Sequence, residues 1–290
     1  MYKRQVRPHN EDSIFVDGVA GLAVLADGMG GYSAGEVASG IAVNVICDGL
    51  LPELRSGREL SKVDVASGLT HAAQLLQQQI AAANKGIYEA AQLRPECAGM
   101  GTTLVTAVFC GNRVSIGHIG DSRCYRMRGD RFEQLTHDHS LLQEQIDSGV
   151  LTLEQAKYSL NKNLVTRALG IEAIVPADIV EYRVETNDVY LLCSDGLWNY
   201  CSDADDLRTL VASTVTALGP HGRHPTTLAG ALVDFANAAG GVDNITATLA
   251  RVGPTDPPPT APPQAPALPS QSPMPQQSDG EERPDGPVHE

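Results

Sequence analysis

Apolar positions along the chain repeat with two periods. Leu22-Ala23-Val24-Leu25-Ala26 is a continuous apolar run that starts after Gly21 and stops at Asp27-Gly28-Met29-Gly30-Gly31. That pattern predicts a strand buried on both faces, ending on a carboxylate and a glycine-rich turn. Beyond Tyr32 the period lengthens. Val37, Ala38, Ile41, Ala42, Val45 and Ile46 share one helical face, which predicts a helix over about 33–50. Ser33 is its expected N-cap, with Glu36 closing a capping box. A second helix, rich in Ala, Gln and Leu, is expected over about 67–93, after a polar, turn-rich stretch at 51–66.

Alternation then returns. Strands are expected at Leu104 to Cys110, Arg113 to Ile119, Cys124 to Arg128 and Arg131 to Leu135, joined by Gly111-Asn112, Gly120-Asp121-Ser122-Arg123 and Gly129-Asp130. Successive tight turns predict an antiparallel sheet of hairpins instead of a parallel, doubly wound one. Thr136-His137-Asp138-His139-Ser140 caps a helix of about ten residues, and 149–163 form a short polar insertion. Ile179 to Val184 and Val189 to Cys193 are expected to pair across Glu185–Asp188. The second of these ends in Ser194-Asp195-Gly196, repeating the strand–Asp–Gly order of Asp27-Gly28. Helices near 203–217 and 225–239 precede Asp243-Asn244 and a last strand, Ile245 to Val252.

Composition narrows the possibilities. At 290 residues and 42% hydrophobic content, the chain can bury a substantial core. A net charge of −14 argues against a nucleic-acid footprint and against docking to anionic lipid. Six cysteines show no CxxC spacing and mostly sit in apolar runs, as reduced core cysteines do. With no signal peptide and no apolar run of transmembrane length, the expected compartment is the cytoplasm. Residues 253–290 hold twelve of the eighteen prolines and are expected to be a disordered, acidic tail. Its bland reading as a linker outweighs a docking role for its PxxP segments.

Acids beside Gly, Ser or Asn at strand ends carry the chemistry: Asp12, Asp27, Asp121, Asp195 and Asp243. One such residue is ordinarily a turn former. Five in the same order of elements, with no Cys/His cluster, favour a hard, oxygen-ligated cation such as Mg²⁺ or Mn²⁺. A rival reading of Asp27 to Gly31 is a dinucleotide-binding turn, but the third glycine is replaced by Ser33 and Asp27 would face a pyrophosphate. The residues alone favour metal-dependent hydrolysis or phosphoryl chemistry, without naming a substrate.

Seven short motifs occur in a familiar order. They are Arg7-xxx-Glu11-Asp12, Ala26 to Gly31, Gly101-Thr102-Thr103, Gly120 to Arg123, Thr136 to Ser140, Ser194-Asp195-Gly196 and Asp243-Asn244. In this order they resemble the metal-dependent serine/threonine phosphatases of type 2C, in their bacterial branch. The resemblance covers about residues 1–252, with 149–163 as the family's flap, and implies an α+β fold: an αββα sandwich of two packed antiparallel sheets flanked by helices. It implies two Mn²⁺ or Mg²⁺ ions and a weaker third. Asp27 would bridge two metals, with the Gly28 carbonyl, Asp195 and Asp243 completing one shell. Glu11 and Asp12 would hold the second metal, and Asp121 the third. Arg7 would grip the substrate phosphate, which suits a planar guanidinium.

The implied reaction is attack of a metal-activated water on the phosphorus of phosphoserine or phosphothreonine, without a phosphoenzyme. Met29 stands where eukaryotic members often have His, so the leaving group is expected to take its proton from a coordinated water. The stretch from Gly120 to Ala156 most resembles members that oppose a threonine kinase in type VI secretion control. The expected partners are phosphorylated proteins, including a Ser/Thr kinase and its targets, and the expected state is a monomer. The alternative is a catalytically weak module that binds phosphoproteins in the same pocket.

Overall fold

Two antiparallel sheets stack face to face, with helices on both outer faces. The computed structural model describes residues 9–31, 34–159, 164–201, 204–218 and 225–253. The first sheet runs β1 (Asp12–Asp17), β2 (Leu22–Met29), β4 (Leu104–Cys110), β5 (Arg113–Ile119), β8 (Asp178–Arg183), with β3 (Gly101–Thr102) paired to the end of β2. The second sheet runs β10 (Ala247–Arg251), β9 (Val189–Cys193), β6 (Arg123–Arg128), β7 (Arg131–Gln134). Helices α1 (Ala34–Arg55) and α2 (His71–Leu93) cover the first sheet. The second is covered by α6 (Ala204–Leu218) and α7 (Pro225–Ala238).

The strands at the centre are apolar on both sides because both sides are covered. Along β2, Leu22, Val24 and Ala26 pack with Ile46 and Leu50 of α1 and Leu76 and Ile80 of α2. The alternate residues Ala23 and Leu25 face Tyr190 and Leu192 of the other sheet. β9 does the same in mirror fashion: Val189, Leu191 and Cys193 meet Leu207 and Val211 of α6 and Leu232 of α7. Period two assigns each residue to a layer, so three apolar layers arise from two sheets.

Two sequence expectations are corrected. Ile179 to Val184 and Val189 to Cys193 do not pair: β8 pairs with β5 in the first sheet and β9 with β10 and β6 in the second. The Gly120–Ser122 turn is likewise no hairpin, because β5 and β6 belong to different sheets. Both connectors are crossovers from one sheet to the other, and alternation alone cannot tell a crossover from a hairpin.

Helix α1 runs past the expected end, through Pro52 to Arg55, whose guanidinium donates to Asp17 Oδ2 at 2.5 Å. Its 22 residues are long and apolar enough to cross a membrane by length and composition, which amends the expectation of no such segment. Its buried Ala38, Ala42, Ile46 and Leu50 pack into the core, and that burial accounts for the apolarity. The second helix starts at His71, four residues later than expected, where Thr70 Oγ1 accepts from Ala73 N. The helix expected after Thr136 to Ser140 is α3 (Leu141–Asp147), capped by Ser140, and in the insertion α4 (Leu153–Ala156) opens on a Thr152–Gln155 capping box. The Ser33 cap, residues 160–163 of the flap and the tail from 254 lie outside the described residues.

Candidate active site

The acids singled out from sequence meet at one end of the sandwich. Asp12 opens β1 and lies in register with Asp27 near the end of β2. Asp195 follows the end of β9, Asp243 precedes β10, and Asp121 sits in the crossover from β5 to β6. Burial comes first and then the charges of Asp12, Asp195, Asp121 and Asp243 in raising Asp27 well above the usual carboxylate range. Burial, Asp195 and Asp138 push Asp121 up to about 7, against the opposing pull of Arg123. Carboxylates that perturb one another this strongly form an oxygen-rich, thiolate-free donor set, which fits a divalent hard cation.

Short contacts hold this end together. Thr103 N donates to Asp27 O at 2.9 Å and Thr102 Oγ1 to the same oxygen at 2.9 Å, while Asp27 N donates to Thr103 Oγ1 at 3.2 Å. The Gly101-Thr102-Thr103 motif thus fixes the backbone that carries Asp27. Asp12 is 2% exposed, and its Oδ2 accepts from Thr246 Oγ1 at 2.5 Å and Ser194 Oγ at 3.4 Å. Asn244 ties the last strand to the first segment, accepting from Glu11 N at 2.8 Å and donating to His9 O at 3.1 Å.

The glycine after each key aspartate is a packing requirement. A Cβ on Gly28 would lie 2.1 Å from Gly35 O and 2.6 Å from Glu11 O. A Cβ on Gly196 would lie 2.0 Å from Asn244 O. The strand–Asp–Gly grammar therefore records backbone meeting backbone: the start of α1 on β2, and the Asn244 loop on α5 (Asp195–Trp198). Glu11 is drawn into the same packing, because Gly28 N donates to its carbonyl at 3.2 Å and Ser39 Oγ at 2.5 Å.

Sequence reasoning assigned no role to Arg123, Asp138 or Trp198, although two of them lie inside its motifs. Arg123 donates from Nε and Nη2 to the Asp138 carboxylate, with Nη2 to Oδ2 at 2.6 Å, and its guanidinium lies 3.6 Å over the Trp198 ring. Trp198 Nε1 donates to Asp121 O at 3.0 Å. These side chains line a cavity of about 300 Å³ between α3, α4 and α5. The signal was the recurrence of Arg and Asp in neighbouring motifs, which only the fold converts into a pair. Arg7, the expected phosphate ligand, lies outside the described residues.

A family profile described as Protein phosphatase 2C matches residues 3–233. The chain belongs to the protein phosphatase 2C family. It is a protein phosphatase with the sandwich its motifs implied, and the dinucleotide-binding reading of Asp27 to Gly31 is set aside. Serine/threonine phosphatase stp of Listeria innocua is 36% identical over 248 residues, covering 84% of this chain and 91% of that protein. PstP of Mycobacterium tuberculosis is 35% identical over 247 residues, 85% of this chain but 43% of that longer protein. A PstP catalytic-domain structure in complex with two manganese ions superposes with a TM-score of 0.71 at 32% identity, covering 87% of this phosphatase and 96% of that chain. PppA, a key regulatory component of T6SS in Pseudomonas aeruginosa, superposes at 0.67 with 32% identity, covering 86% and 94%.

Proposed function

We propose that this phosphatase hydrolyses phosphoserine and phosphothreonine on proteins with the help of Mn²⁺ or Mg²⁺, residues 1–252 forming the catalytic domain. The convergence of Asp12, Asp121, Asp195 and Asp243 on Asp27 carries the reading. Like charges gathered so closely repel unless a cation lies among them. Asp27, the Gly28 carbonyl, Asp195 and Asp243 would hold one ion, Glu11 and Asp12 the second, and Asp121 a weaker third. When bound, the ions supply an acidified water as nucleophile and neutralise charge on the phosphate.

The chain's own residues do the rest. Thr102 and Thr103 keep the Asp27 backbone in place. Thr246 and Ser194 donate to one oxygen of Asp12 and so set how its carboxylate is turned. Arg7 would bind two phosphate oxygens and orient phosphorus for in-line attack.

Phosphate release from a phosphothreonine peptide tests this reading. Activity should need Mn²⁺ and vanish with chelator, and Asp27→Asn should remove it. Full activity in Asp27→Asn would overturn the bridging role. The weak-binder alternative is not favoured, since the relatives that align over most of the chain bear phosphatase names. The finer reading is a monomeric cytoplasmic enzyme opposing a Ser/Thr kinase, in the manner of a type VI secretion regulator. Its support is likeness to PppA, a regulatory component of type VI secretion. Comparing phosphoproteomes with and without the gene checks it: excess phosphothreonine on secretion components is the expected result.

A further inference from the structure

Behind the acidic end lies a second group of polar side chains. His118, His139 and Asp178 bring potential ligand atoms within 4.8 Å of one another. Hydrogen bonding decides against a cation among them. Gly120 N donates to His139 Nδ1 at 3.1 Å, so that nitrogen presents a lone pair and the single proton of the neutral ring sits on Nε2. Nε2 faces Asp178 Oδ2 at 3.3 Å, and Arg167 Nη1 stands 3.3 Å away. The ring has no lone pair left for a metal. Burial also lowers the His139 pKa, which keeps the ring in that neutral form.

The same bonds do something else. His139 N donates to Gly120 O at 2.9 Å while its ring accepts from Gly120 N, so one residue holds both polar groups of one glycine. Gly120 has φ +96°, and a Cβ there would meet Thr103 at 2.7 Å, so Thr103 supports the turn from the opposite side. Asp121 is the next residue. The ring is itself set by Asp178, by stacking on His118 with centroids 4.9 Å apart, and by the His118 Nε2 contact to His137 O at 2.8 Å. His139 O accepts from Thr166 N at 2.8 Å, which links the clamp to the chain returning from the flap.

We infer that His139 is a positioning residue for Asp121: it clamps Gly120 at both backbone groups and thereby sets where the Asp121 carboxylate stands. The inference rests on the reading of Asp121 as the acid of the weaker metal. Outer partners that orient a ligand typically change metal affinity by about 10-fold when removed.

The test uses the full chain with Mn²⁺ titrated by calorimetry, and amide exchange at Gly120 and Asp121 in the metal-free protein. His139→Leu should weaken the weakest Mn²⁺ event about 10-fold and speed exchange at both amides. His139→Asn, which keeps an acceptor near the Nδ1 position, should restore most of both. In an Asp121→Asn background, His139→Leu should add no further loss of affinity, because the two act through one carboxylate. Additive losses, or unchanged exchange at Gly120 in His139→Leu, would overturn the inference. If Asp121→Asn itself leaves the titration unchanged, the Asp121 assignment fails, and the exchange arm still judges the clamp. Should His139→Leu not fold, Asp178→Ala loosens the ring without removing it and carries the same comparison.

Discussion

Asn244 grips Glu11 across 233 positions of sequence. Its Oδ1 accepts from Glu11 N at 2.8 Å while its Nδ2 donates to His9 O at 3.1 Å, and the side chain is 2% exposed. This amide joins the last strand's entry to the segment that carries two of the candidate ligands. Asn244→Ala leaves a buried N–H and a carbonyl to find other partners, at about 1–3 kcal/mol. Urea unfolding should show that loss. Mn²⁺ affinity should fall as well, since Glu11 and Asp12 lose their tether. A variant with wild-type stability and wild-type metal binding would show that the link is dispensable.

The glycines beside the aspartates differ from Gly31 of the same turn, and their substitution should show it. Gly28→Ala and Gly196→Ala each drive a Cβ to about 2 Å from a carbonyl oxygen belonging to backbone of another element. Neither neighbour is a flexible side chain that can step aside. Each substitution should destabilise by more than about 3 kcal/mol, in the tail of single-residue effects. Gly31→Ala meets nothing within 4 Å and should stay within about 0.5 kcal/mol of wild type. Thermal melts of the three variants, metal-free and with Mn²⁺, separate packing from ligation. If Gly28→Ala melts normally but binds Mn²⁺ poorly, carbonyl approach and not packing is what that glycine serves.

Much of this was legible in sequence because two strands announce themselves twice over. Leu22 to Ala26 and Val189 to Cys193 are apolar on both faces and stop at Asp-Gly, which places Asp27 and Asp195 without any structure. The sheet to which each strand belongs was not legible. The crossovers at Gly120–Ser122 and Glu185–Asp188 look like hairpin turns, since a turn residue reports local backbone and not the partner strand. Nor could spacing reveal Asn244, Thr246 or the Arg123–Asp138 pair as supports. Their partners are brought near by the stacking of two sheets, a non-local event. Spacing likewise gives no reason for Gly28, whose bare backbone is needed against Gly35 and Glu11.

Arg123 and Asp138 should behave as a buried pair. The Asp138 side chain is 4% exposed and that of Arg123 21%, with the guanidinium sandwiched between carboxylate and indole. Asp138→Ala leaves the cation without its main counter-charge and should cost about 3–5 kcal/mol. Replacing both residues, as Arg123→Met with Asp138→Leu, should cost less than Asp138→Ala alone. Trp198 packs on Arg123 and donates to Asp121 O, so both variants should also disturb the Asp121 turn. Urea midpoints of Asp138→Ala, Arg123→Met and the double variant decide the matter: losses that simply add would mean that the pair is not coupled.

Asp121 makes the metal-free protein sensitive to pH in a direction that can be worked out. Its folded-state pKa, about 7, lies above the ordinary value of 3.8. A raised pKa means the folded state holds its proton more tightly than the unfolded chain does. This contribution to stability is therefore fully present below about pH 4 and is lost as pH rises towards 7. At the limit a shift of this size corresponds to about 4 kcal/mol. Asp121→Asn removes the titration, so the variant should gain on the wild type in metal-free urea midpoints between pH 5 and pH 7.5, roughly the upper part of that window. Added Mn²⁺ should reverse the order at pH 7.5, because the cation stabilises the ionised carboxylate and not the amide. A difference between the two proteins that does not change with pH would show that Asp121 is not held near neutrality by its neighbours.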